Sequence, residues 1–115
     1  MGLDVSEYDL YQELQHKTVD LNKAVKDLRE SGTRRAQAER DYKVILAQKC
    51  LDMRDHGFAV GMIDKVCYGI DEVAEARFNR DVTDVLYTAN LESINSIKLQ
   101  IRLIEAQIER EWQQH

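Results

Sequence analysis

Few side chains in this sequence are of a type and spacing that could do chemistry. His16 has Glu13 three residues before it and Asp20 four after. Helical side chains at those separations share a face, so the trio could hold a metal. The set stays incomplete: there is no HExxH, no ExxH pair and no second group of ligands of the kind helical bundles use for two-metal centres. His56 falls in Asp55-His56-Gly57 and His115 is the last residue, both too far away in sequence to help. A solvated helix face is the expectation, with no metal and no cofactor. Cys50 and Cys67, separated by sixteen residues, match neither a zinc spacing nor a redox CxxC. They read as two reduced, buried or half-buried thiols.

Carboxylates are abundant, but acid–base work needs partial burial to move their pKa values. Glu39 and Asp81 are the acids drawn toward the interior, each beside arginines in Glu39-Arg40-Asp41 and Arg77-Phe78-Asn79-Arg80-Asp81. A buried salt-bridge layer that fixes register is the structural expectation, and a polar docking site for a partner is the functional one. The basic residues Arg29, Arg34, Arg35, Arg40 and Lys43, with Arg77 and Arg80 near their far end, come nearest to a protein- or nucleic-acid-binding patch. Acidic residues interleave them, and no base-stacking or DNA-reading signature accompanies them. There is no Ser/His/Asp or Cys/His arrangement and no glycine-rich phosphate loop, so no catalytic residue is assigned and no enzyme is expected.

Any such group must be carried on helices. The 115 residues contain no Pro, 5 Gly, 32% charged residues and 7% aromatics, the composition of long helices rather than of a large globular core. The net charge of −5 disfavours general phosphate-backbone binding. The start MGLDVSEYDL lacks a basic region followed by an apolar stretch, so no secretory signal is read there. No apolar run approaches the ~20 residues needed to cross a bilayer. A cytoplasmic protein without membrane partners is expected.

The pattern gives one domain, residues 1–115, with a helix over about 6–54, a short helical tip segment at 58–69 and a helix over about 71–113. Leu14, Leu21 and Leu28 recur every seven residues. The series Tyr11, Thr18, Val25, Gly32, Glu39, Leu46 and Met53 serves as their companion in a 4-3 seam. Asp4 or Ser6 is placed to cap the start. The seam turns polar at Gly32, Arg35 and Glu39, yet without Pro the helix is read as continuous through Ser31-Gly32-Thr33. Gly57 is expected to end it in the left-handed conformation. Phe58, Val60, Met62, Ile63, Val66 and Cys67 are read as a cluster plugging the tip, and Asp71 as the next N-cap. Phe78, Val82 and Val85 then lead into Ile94, Ile97, Ile101, Ile104, Ile108 and Trp112, flanked by Leu99 and Leu103.

Folded back at the tip, the two long helices run antiparallel, and facing residues should sum to roughly 125 for equal rise in each helix. That register pairs Leu21 with Leu103 or Ile104, Leu28 with Ile97, and Tyr42 with Phe78 or Val82. The arc formed by Ile94, Ile97, Leu99, Ile101, Leu103, Ile104, Ile108 and Trp112 is too wide for one partner helix. It predicts a homodimer, two hairpins closing into a four-helix bundle.

The stretches AERDYKVILAQKCLDMRDHG and VAEARFNRDVTDVLYTANLESINSIKLQIRLIEAQIEREW, together spanning residues 38–112 with the tip between them, resemble a family of small uncharacterised helical proteins encoded by phages and prophages of Gram-positive bacteria. VAEARFNRDV and the SIKLQIRLIEAQIEREW tail are the most distinctive parts. The resemblance carries over no functional residues. It implies a phage protein made in the host cytoplasm that binds a host or phage protein, for instance to inhibit a defence or replication enzyme. An accessory nucleic-acid binder in replication or recombination, and a structural or chaperone component of the virion, are the competing expectations.

Overall fold

The computed structural model describes the backbone of residues 2–114 and the side chains of residues 8–114. It is all-α, an antiparallel helical hairpin, with no strand among the described residues. Helix α1 spans Gly2–Asp55, α2 spans Val60–Val66, a single 3-10 turn covers Cys67–Gly69, and α3 spans Asp71–Gln113. No helix among the described residues is long and apolar enough to cross a membrane. α1 begins at Gly2, four residues before its expected start, and runs unbroken through Ser31-Gly32-Thr33. The caps expected from Asp4 and Ser6 lie outside the described side chains, as does His115.

The chain divides by its internal contacts into two compact units, one of residues 1–29 with 89–115, the other of residues 30–88. In the first, Ala24, Ile94 and Ile104 are buried, and Leu14, Leu21, Leu28, Ile97, Ile101 and Ile108 are half-buried beside them. Asn90 Nδ2 donates across to the Asp27 carbonyl at 3.4 Å. In the second, Ser31, Ala38, Tyr42, Met53, Ile63, Cys67 and Val73 are buried. Burying Met53, Ile63 and Val73 is worth about 1.5–3 kcal/mol each over leaving them exposed.

The tip shows why the helices meet where they do. α1 ends in a Schellman motif: Phe58 N–H donates to Met53 O at 3.1 Å and Gly57 N–H to Arg54 O at 3.0 Å. Gly57 sits at φ 84°, a conformation that costs glycine nothing sterically. Ile63 and Cys67 then fold back onto Met53, with Leu46, Cys50 and Ile70 packed around them. The first hydrogen bond of α3 runs from Ala74 N–H to Ile70 O at 2.8 Å. Ile70, not Asp71, is therefore the N-cap, while Asp71 and Glu72 place negative charge in the first turn, where the helix dipole favours it.

Two expectations are corrected here. Within unit 30–88, Lys49 pairs with Glu72 at 2.9 Å and Arg35 with Asp84 at 2.8 Å. In the other unit Asp27 meets Asn90. The expected register would have set these α1 residues against Ala76, Asn90 and Lys98, so the observed one is offset by about one to two turns. The cause is an asymmetric tip. Residues beyond Lys49 on α1 outrun the start of α3 and are covered by α2 through Met53 and Ile63.

The second correction concerns which stripe faces inward. Leu14, Leu21 and Leu28 do, but over the first forty residues their companions are Lys17, Ala24, Ser31 and Ala38, one residue before the expected series, whereas toward the tip the expected Leu46 and Met53 do face inward. Tyr11 and Thr18 are exposed. On α3 the inward positions repeat without interruption: Val73, Ala76, Arg80, Thr83, Tyr87, Asn90, Ile94, Ile97, Ile101, Ile104, Ile108 and Glu111. Alternating steps of three and four are the coiled-coil spacing. Phe78, Val82, Val85 and Trp112, expected on that stripe, are exposed instead.

Candidate functional site

Unit 30–88 contains a cleft of about 510 Å³ between its two long helices, lined by Gly32, Arg35, Ala36 and Glu39 of α1 and by Arg80, Asp81, Asp84 and Tyr87 of α3. It exists because the inward stripes turn polar here. Small residues on α1 (Ser31, Gly32, Ala38) face long polar ones on α3, which reach across and leave a gap between them. Tyr87 packs on Gly32: a Cβ added there would lie 3.3 Å from its Cε1. The Arg35 guanidinium lies over the same ring, 4.9 Å from its centroid, while pairing with Asp84.

One turn further along, Arg80 lies 4.5 Å over the Tyr42 ring. Its Nε and guanidinium nitrogen donate to Asp81 Oδ1 at 3.1 and 3.0 Å, and Glu39 approaches at 3.9 Å. Asp81, with lesser help from Tyr42 and Glu39, pushes Arg80 up from its ordinary value against the opposing effect of burial. Glu39 in turn reaches Lys43 at 3.5 Å. Glu39 and Arg80 thus lie at the same height, as expected, but the layer is not buried. The side chains of Arg35 and Asp84 are about half exposed, at 49% and 55%. Water reaches the ion pairs, which limits each to a small contribution to stability. Two cations face three carboxylates in the cleft, so it carries no excess charge for a phosphate.

The basic residues do not form one patch. Arg35 and Arg80 are paired in the cleft and Lys43 with Glu39. Arg77 lies 5.8 Å over the Tyr68 ring near the tip. Arg34 and Arg40 are exposed but point about 120° apart around α1. Arg29 belongs to the other unit. His16 is exposed, and among the described residues no group of three His, Cys, Asp or Glu side chains could hold a metal ion.

What sequence reasoning missed is apolar. Phe78, Val82 and Val85 each follow an inward residue by two positions (Ala76, Arg80, Thr83), which turns them to the far side of α3 at about 100° per residue. Phe78 is 65% exposed, Val85 66%, and Leu86 lies open beside them. The tip also differs from its expected plug: only Ile63 and Cys67 are buried, while Phe58, Val60, Met62, Val66 and Tyr68 stay exposed. Of the face expected to meet a second copy, Ile94 and Ile104 are already buried within the chain and Ile97, Ile101 and Ile108 are half-buried. Leu99, Leu103 and Trp112 remain open. The apolar surface left on α3 in the unit of residues 1–29 and 89–115 is accordingly narrower than expected.

Fold and site together define a helical hairpin with a polar layer between its helices and uncovered apolar faces outside. Comparison with protein-family models, with curated proteins and with solved structures gives no match.

Proposed function

We propose that this chain is a non-enzymatic protein-binding module, phage-encoded and working in the host cytoplasm, whose contact surface is the outer face of α3 at Phe78, Val82, Val85 and Leu86. The observation that carries the reading is the exposure of these four large apolar side chains on a helix whose inward stripe is already complete without them. Their spacing of four, three and one, with uncharged Asn79 beside them, is that of anchors on an amphipathic helix. An uncovered apolar helix face rimmed by charge is a mark of an interaction site.

The occupant with the best fit is the same face of a second copy. Paired antiparallel about Val82, Phe78 of one chain lies opposite Val85 and Leu86 of the other, which makes the contact self-complementary, as a two-fold dimer requires. The dimer would present its two tips to a host or phage protein. Nucleic-acid binding through the arginines is the weaker reading, since Arg35 and Arg80 already face carboxylates. The experiment is a comparison of molecular mass in solution for the wild type and for Val85→Asp. A wild type that never exceeds one chain rejects the dimer.

A further inference from the structure

Two thiols with sixteen residues between them in sequence pack into one cluster at the tip. Cys67, in the 3-10 turn, is buried, and Cys50, on α1, is half-buried. Both belong to the cluster of Met53, Ile63 and Ile70 that holds the tip onto α1. Cys50 packs against the buried cluster that contains Cys67, and burial, followed by the neighbouring Cys50, pushes the Cys67 thiol up from its ordinary value. Cys67 thus stays protonated and shielded, and Cys50 is the thiol that solvent can reach.

We propose that Cys50 and Cys67 form a reversible intrachain disulfide that fastens the tip segment to α1 when the protein meets a peroxide. Hydrogen peroxide oxidises Cys50 by two electrons, giving its sulfenic acid and one water. The Cys67 thiol then attacks the Cys50 sulfur and gives up its proton as the S–S bond forms, and the sulfenic hydroxyl leaves with that proton as a second water. A dithiol reductant reverses the bond. Cross-linking at this place closes a short loop around Gly57 and α2, so its effect falls on the tip, the segment that carries exposed Phe58, Met62 and Val66. The cysteine pair does not depend on the function proposed above.

The test treats the full chain with hydrogen peroxide and reads intact mass, free thiols and amide exchange. The expected result is a monomeric loss of two hydrogens and both thiols, reversed by dithiothreitol, with exchange at residues 58–69 slowed by about tenfold or more. Cys67→Ser should leave Cys50 as a sulfenic acid that a dimedone probe traps. Cys50→Ser should leave Cys67 unoxidised, and it retains the buried Cys67 if the other variant folds poorly. Two free thiols after treatment, a disulfide only between chains, or Cys67 oxidised as readily without Cys50 would each overturn the proposal.

Discussion

The ring of Tyr87 rests on Gly32, with the Arg35 guanidinium stacked over it and Asp84 paired to that guanidinium. A glycine in the middle of a helix costs about 1 kcal/mol relative to alanine, and here the close approach of Tyr87 explains why one is tolerated. Gly32→Ala should be near neutral in urea unfolding, because crowding against Tyr87 offsets the helix gain. In a Tyr87→Ala background the same change should stabilise by about 1 kcal/mol. Gly32→Leu should destabilise by about 1–3 kcal/mol through overpacking. Equal effects of Gly32→Ala in both backgrounds would remove the proposed contact.

Arg80 stacks on Tyr42 while pairing with Asp81 and Glu39. Lysine keeps the charge but loses the planar fork. Arg80→Lys should therefore lower stability measurably, and most of the loss should persist in high salt, which screens ion pairs more than stacking. Full recovery of the difference on adding salt would mean that the ion pairs alone matter.

At the tip, burial separates neighbours in the sequence. Ile63 is 4% exposed and Met62 51%. Ile63→Ala should cost about 2–5 kcal/mol and raise amide exchange at residues 58–69, whereas Met62→Ser should stay within about 0.5 kcal/mol. Similar costs for the two would show that the tip packs with a different face inward.

Lys49 is pushed up from its ordinary value, first by its hydrogen bond to Glu72, then by that carboxylate's charge. A raised lysine favours the fold while it is protonated in both states. Its contribution is therefore constant at neutral pH and is lost as pH rises through the folded value, above the usual lysine range. Unfolding followed from neutral into strongly alkaline buffer should lose this increment in the wild type but not in Lys49→Met.

The helices, the cap at Gly57 and the stripe from Ile94 to Ile108 were legible because large aliphatic residues at coiled-coil spacing leave little choice of inward face. Where the stripe turns polar, that guide misleads. Tyr11 and Thr18 look like better companions for the leucines of α1 than Lys17, Ala24 and Ser31, yet the small Ala24 and Ser31 are buried and Lys17 is half-buried, while Tyr11 and Thr18 are exposed. Phe78, Val82 and Val85 look like the inward row for the same reason, since nothing about Arg80, Thr83 and Tyr87 in sequence marks them as interior. Only following the regular spacing back from Ile94 to Val73 would have found it. The register is not legible because equal rise in the two helices sets it only for a symmetric tip, and the docking of Ile63 on Met53 is not visible in a hydrophobic pattern.

Whether the outer face of α3 is a contact surface is tested most directly by light scattering coupled to size exclusion. The wild type should show a mass near twice the 13.4 kDa of the chain. Val85→Asp should shift it toward a single chain with its helical circular dichroism unchanged, and Val19→Asp, an equally exposed valine of α1, should leave it dimeric. A wild type of single-chain mass at all concentrations, or a Val85→Asp variant as dimeric as the wild type, would contradict it.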